Sequence, residues 1–135
     1  MKRQFVNLFS ALALALVAAS SFGQSVASKA NVPFDFVVSG RTLPAGDYLV
    51  RTDDRIIAVR NMASGKTTLV PINNVADFQP ATDSKLVFHR YRNTYFLRQV
   101  WNAGYSGFDL PETRREKEIA ADTRVTGGIA VAGMR

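Results

Sequence analysis

The chain's only histidine and only tryptophan lie in one run, LVFHRYRNTYFLRQVW (residues 86–101), among tyrosines, phenylalanines and arginines. An imidazole whose ordinary pKa lies near neutrality can act as a general base. His89 would then need a nucleophile and an acid within hydrogen-bonding reach. No Gly-x-Ser-x-Gly elbow occurs, so a serine hydrolase has no recognisable nucleophile. His89 sits inside a strand-like stretch between Phe88 and Arg90, and a structural role is expected for it. The second chemistry this run could support is stacking. Tyr91, Arg92, Tyr95 and Arg98, with His89, would form an exposed aromatic-and-arginine platform for sugar rings or an anionic polymer. Burial is the default fate of large aromatics in a small domain, so the expectation is a core hairpin with these five residues as the candidate binding set.

Other motifs carry less. Gly65-Lys66-Thr67 has the tail of a phosphate-binding loop, but Arg60 stands where its first glycine belongs, and Pro71 follows where a helix is needed. One histidine and no cysteine leave a transition metal only scattered carboxylates. Asp53 and Asp54 are adjacent and do not make the alternating acidic loop of a calcium site. No cofactor or metal is expected. Glu112, Glu116 and Glu118 alternate with Arg114, Arg115 and Lys117, which reads as a solvated helix face rather than a pair of glycosidase acids.

The elements that must position these residues are mostly strands. Phe34, Phe36 and Val38 alternate with Asp35, Val37 and Ser39, the period of a strand with one buried face. Pro44 and Gly46 mark a turn, after which Tyr48, Val50 and Thr52 share a face. A two-residue Asp53–Asp54 loop would pair Val50 with Ile57 and Tyr48 with Val59. A strand at TTLVPI (67–72) ends near Pro71, which argues for an edge or a bulge. The connection 73–84 is irregular, with Phe78 expected to plug it onto the body. A turn at Arg92–Asn93 would set Phe88 opposite Leu97, His89 opposite Phe96 and Arg90 opposite Tyr95. Leu86, Phe88, Tyr95, Leu97 and Trp101 would share one face, and Val87, His89, Phe96, Arg98 and Val100 the other. Thr113 and Glu116 have capping-box spacing, which predicts a helix near 112–121. The last stretch, 123–135, reads either as a tail or as a short added strand.

Length allows one domain. The first 23 residues, with Lys2 and Arg3, an apolar run to Ala19 and small residues at Ser21 and Gly23, read as a signal peptide. The run is too short for a membrane span, so no stable span is expected after cleavage. Residues 24–31 read as a flexible leader and 32–122 as the domain. Without Lys2 and Arg3 the basic count falls from 17 to 15 against 11 acids, leaving a net charge of +4. Scattered surface arginine explains that balance, and no nucleic-acid partner is expected. No cysteine means no disulfide, although an exported protein could form them. Stability must come from a core.

VPFDFVV, LPAGDYLV, LVFHRYRNTYFLRQVW and LPETRREKEIA occur in that order across residues 32–121. In this order they resemble a family of small exported bacterial proteins. Its motifs are Val-Pro-Phe-x-Phe, Leu-Pro-Ala-Gly-x-Tyr and Phe-x-Arg-Tyr followed by Tyr-Phe-Leu and a tryptophan. The resemblance implies a signal peptide and a β-rich domain, with no assigned activity and no functional residue to carry over. Arg92 stands where that family has glycine, so Asn93 is expected to take the positive φ of the turn.

Together these readings predict a mainly antiparallel β-sandwich or small barrel of about six strands with one short C-terminal helix. The predicted core is Phe34, Phe36, Val38, Tyr48, Val50, Ile57, Val59, Phe88, Leu97 and Trp101. The expected role is that of an exported, periplasmic or secreted, non-catalytic module that binds a protein or another envelope component. The alternatives are a polysaccharide- or anionic-polymer-binding module, and a hydrolase using His89.

Overall fold

The computed structural model describes residues 26–53, 55–77, 79–122 and 126–135. The expected signal peptide, Asp54 and Phe78 lie outside the described residues. Among the described residues there are eleven strands and one helix, arranged as a sandwich of two sheets with no closed barrel. The first sheet contains β1 (Val26–Val32), β4 (Gly46–Thr52), β5 (Ile56–Asn61) and β6 (Thr67–Pro71), in that order across the sheet. The second runs β11 (Gly127–Gly133), β8 (Lys85–Tyr91), β9 (Thr94–Trp101), β10 (Gly107–Asp109) and β7 (Asn74–Asp77). A small hairpin of β2 (Phe36–Val38) and β3 (Arg41–Leu43) joins it through a parallel bridge from Val37 to Phe96. Helix α1 (Arg114–Ala121) follows β10.

The core forms where the inner faces of the two sheets meet. Val32, Tyr48, Val50, Ile57, Val59 and Val70 come from the first sheet, and Phe36, Leu86, Phe88, Leu97 and Val100 from the second. Phe36 meets Tyr48 and Phe88 edge-on, with ring centroids 5.1 Å and 5.4 Å apart, the geometry the ring quadrupole favours. A polar tie closes one end. Asn102, just after β9, donates to the Thr52 hydroxyl at 3.0 Å and accepts from Ser28 at 3.4 Å, so all three buried groups are satisfied across the two sheets.

The β8–β9 hairpin has the expected register at its tip: Phe88 opposes Leu97, His89 opposes Phe96 and Arg90 opposes Tyr95. Further along, Val87 opposes Gln99, so Arg98 is an extra residue in β9. Such a bulge reverses the in–out alternation beyond it. Val100, expected on the outer face, is therefore in the core, and Trp101, expected in the core, is outside it and half-buried. Its indole lies against the backbone of Gly107, where a Cβ would sit 2.5 Å from the ring, and the Lys85 ammonium stands 5.6 Å from its centroid.

Other expectations need correction. Residues 26–31 of the supposed leader belong to β1, with Val32 of the expected domain, because Ser28, Ala30 and Val32 alternate inward, a period-two pattern disguised by small side chains. The β4–β5 pairs are Val50–Val59 and Thr52–Ile57, two residues off the expected register. The last pair before the turn is closed by the Asp53 amide donating to the Ile56 carbonyl at 3.0 Å. A shift of two preserves parity, which is why the expected inward residues of β4 and β5 are still buried. Phe34 packs at the core margin, half-buried. Arg92 takes the left-handed φ, at 55°; its carbonyl accepts a 2.7 Å hydrogen bond from the Arg90 guanidinium, which helps hold that turn. The stretch 127–133 is a strand.

The bulge makes unequal demands on two aromatic residues. Phe88→Ala is expected to lower the unfolding free energy by about 3–5 kcal/mol, and Trp101→Ala by no more than about 2 kcal/mol. Urea unfolding of the two variants measures both; equal losses would return Trp101 to the core and remove the bulge.

Candidate functional site

Chemistry-bearing groups collect where α1 lies over the outer face of the second sheet. An eight-residue helix has little stability of its own, so tertiary contacts must hold it. Thr113 caps it, its hydroxyl accepting from the Glu116 amide at 3.3 Å. The reciprocal half of the capping box is replaced: the Glu116 carboxylate turns to the sheet and accepts from Arg98 Nη1 at 3.1 Å. Glu116 is buried, at 1% exposure, which corrects the expectation of a wholly solvated helix face. Glu112 Oε2 stands 3.9 Å from the same Arg98 nitrogen. Arg114 and Glu118 do lie on a solvated face, paired at 3.1 Å.

His89 shares this face. Its Nδ1 is 3.7 Å from Glu116 Oε1, too far for a hydrogen bond, and its side chain is 37% exposed. Both Glu116 Oε1 and Arg98 Nε are buried without hydrogen-bond partners. Burial, followed by the Arg98 charge, holds the imidazole below its ordinary pKa of 6.5, with Glu112 and Asp109 pulling the other way. Burial pushes the Glu116 carboxyl above its ordinary value, and Arg98 offsets part of that rise. A histidine beside a buried carboxylate has the outline of an oriented base. Among the described residues no hydroxyl is hydrogen-bonded to the imidazole, and no group of three metal-ligating side chains occurs. What the cluster does in the structure is hold α1 to β9. Beside it lies an open cavity of about 310 Å³, apolar at Val37, Val70, Phe96 and Leu110 and acidic at Glu112 and Glu116.

The five residues of the expected platform are not brought together. His89, Tyr91 and Arg98 lie on the outer face. Tyr95 points inward, stacked on Phe34 with centroids 3.8 Å apart and planes 14° from parallel, and Arg90 rather than Arg98 stands over its ring. Arg92 is exposed at the hairpin tip. Glu116 was the missed member of the polar cluster; its spacing from Thr113 marked it, but only as a cap.

A second feature is the edge of the second sheet. β11, with sequence GGIAVAG, pairs with β8 along its whole length, from Gly127 opposite Tyr91 to Gly133 opposite Lys85. The Met134 amide donates to Ser84, on the β8 side, while Arg135 exchanges two hydrogen bonds with Lys29 of β1 on the other side. Antiparallel ladders alternate in this way, so the amides and carbonyls of Ile129 and Val131 point away from β8. Among the described residues no strand pairs with β11 there. Ile129 and Val131 are also 73% and 58% exposed. Of the other outermost strands, β7 is four residues long and β3 three, β6 ends in Pro71, and β1 carries Lys29 and is bonded there to Arg135, devices that commonly protect edges. β11 carries neither charge nor proline.

Comparison with known proteins found no match to the chain, whether among family models, curated proteins or solved structures. No helix among the described residues is long and apolar enough to cross a membrane.

The depressed imidazole pKa has a signed consequence. The unfolded chain binds the His89 proton more readily, so the stability His89 contributes is present above about pH 6.5 and is lost as pH falls below that value. Glu116, with its raised pKa, acts in the opposite sense but is common to wild type and variant. His89→Gln is expected to fall less steeply in urea midpoint than wild type between about pH 7.5 and pH 5. Parallel profiles would show that the fold, through burial and the Arg98 charge, does not depress the His89 imidazole.

Proposed function

We propose that the protein is an exported, non-catalytic binding module of the bacterial envelope that takes a protein partner by strand addition at β11. The observation that carries this reading is the undefended edge: outward-facing backbone donors and acceptors at Ile129 and Val131, flanked by two exposed aliphatic side chains. Main-chain hydrogen bonds supply the affinity in such complexes. Export is supported by the basic and then apolar first 23 residues. The order of motifs across residues 32–121 supports a place among the small exported bacterial proteins it resembles. A non-catalytic role is supported by Glu116, whose carboxylate is engaged by Arg98 rather than by His89.

A photoreactive side chain at Val131, activated in the native envelope, tests the reading. The expected result is a discrete adduct with protein that disappears when Ile129→Pro removes the outward amide. Adducts with polysaccharide alone, or protein adducts indifferent to Ile129→Pro, would overturn it.

A further inference from the structure

We propose that the strand added at β11 is β11 of a second copy of this chain, paired antiparallel about a two-fold axis through Ile129. The inference rests on the strand-addition reading above and names its partner.

Register and sterics select this pairing. From Met134 onward the outer side of the chain is taken by β1, through the Lys29–Arg135 hydrogen bonds and the Ala30–Met134 bridge. Among the described residues, the segment left without an outer partner is therefore Gly127–Val131. Its outward-facing residues are 127, 129 and 131, by the alternation that points Met134 to β8 and Arg135 away from it. Antiparallel pairing of two such segments about Ile129 sets Ile129 opposite Ile129 of the second copy and Gly127 opposite Val131. All of these are outward residues, so each finds its donor and acceptor in its mate. A two-fold interface uses the same patch on both subunits and must be self-complementary, which this five-residue edge is.

Side chains and charge agree. On the outer face the two isoleucines meet directly, with a valine on each side facing Gly127 of the other copy, over which the Tyr91 ring lies, 3.3 Å from where a Cβ would stand, and gives each valine an apolar surface. On the inner face Ala130 and Gly128 oppose one another, where nothing larger than a methyl group has to fit. Without residues 1–23 the chain keeps 15 lysines and arginines against 11 acids, so two copies carry a modest net charge of the same sign. Like charges directly opposite destabilise a strand pair, and β11 has none. The contact is a five-residue edge, short beside the roughly 20–30 residues a side of a standard interface. It therefore forms a weak, concentration-dependent dimer.

Sedimentation of the chain lacking residues 1–23 should show monomer near about 1 μM and dimer near about 1 mM. Ile129→Lys, at a surface position where folding tolerates charge, places two positive charges across the axis and should give monomer throughout; Ile129→Glu alone should do the same. An equimolar mixture of the two variants should recover the dimer. Leu69→Lys, on the exposed face of the other sheet's outer strand, should leave dimerisation unchanged. Monomer at every concentration of the wild-type chain overturns self-pairing, as does a dimer that survives Ile129→Lys. The Val131 adduct separates the two proposals. If the chain is monomeric but the adduct joins it to a different protein, strand addition stands and the second copy is excluded. If there is neither dimer nor Ile129-dependent adduct, both fall.

Discussion

One extra residue in β9 organises this domain. Arg98 has no partner in the β8 ladder, and its carbonyl and one guanidinium nitrogen are used elsewhere. Its carbonyl accepts from the Leu110 amide at 2.8 Å, holding the chain that leads into α1. Its guanidinium reaches Glu116 and stands near Glu112, which holds the helix against the sheet. The parity change it imposes sends Val100 into the core and turns Gln99 and Trp101 outward. Outside, Gln99 bonds both Asp109 and the indole nitrogen, at 2.8 Å and 3.1 Å. A buried ion pair adds little net stability compared with well-packed apolar side chains, because both charges lose water. What this pair provides is placement, since a single carboxylate is the buried residue of the helix.

The same arrangement bears on function. Several side chains that stand out in the sequence are engaged within the fold, Glu116 by Arg98, Tyr95 by Phe34 and Trp101 by Gln99, while His89 stays 37% exposed and 3.7 Å from Glu116. The least occupied groups are backbone ones, along the edge strand β11. Burial accounts for this contrast. A small domain without disulfides needs its aromatics for its core and its sheet margins, and the proposed strand addition uses the edge left open. Strand addition asks for no special side chain, which is why composition and motif searching pass over it.

Much of the fold was legible because strand parity is a strong signal. The inward residues of β4 and β5, the tip register of β8–β9 and the helix cap at Thr113 all follow from residue spacing. Three features were not legible. The bulge is hard to read in YFLRQVW because apolar or aromatic residues flank the adjacent Arg98 and Gln99 on both sides, so either parity buries something large. β1 buries serine and alanine, so its alternation carries almost no hydrophobic contrast. Arg92 adopts a conformation that residue preference assigns to Asn93, and its carbonyl is held by Arg90, a local contact without a sequence rule. Of the candidate site, His89 and Arg98 were named from residue type, but Glu116 becomes their neighbour only through long-range docking of α1, 18 residues from Arg98.

The central claim, that the bulge residue and the buried glutamate act as one unit, is tested most directly by a double-mutant cycle of Arg98→Ala and Glu116→Ala in urea unfolding. The account predicts a coupling of at least about 2 kcal/mol, as expected for a desolvated, hydrogen-bonded ion pair. Losses that add to within about 0.5 kcal/mol would show two independent residues and contradict it.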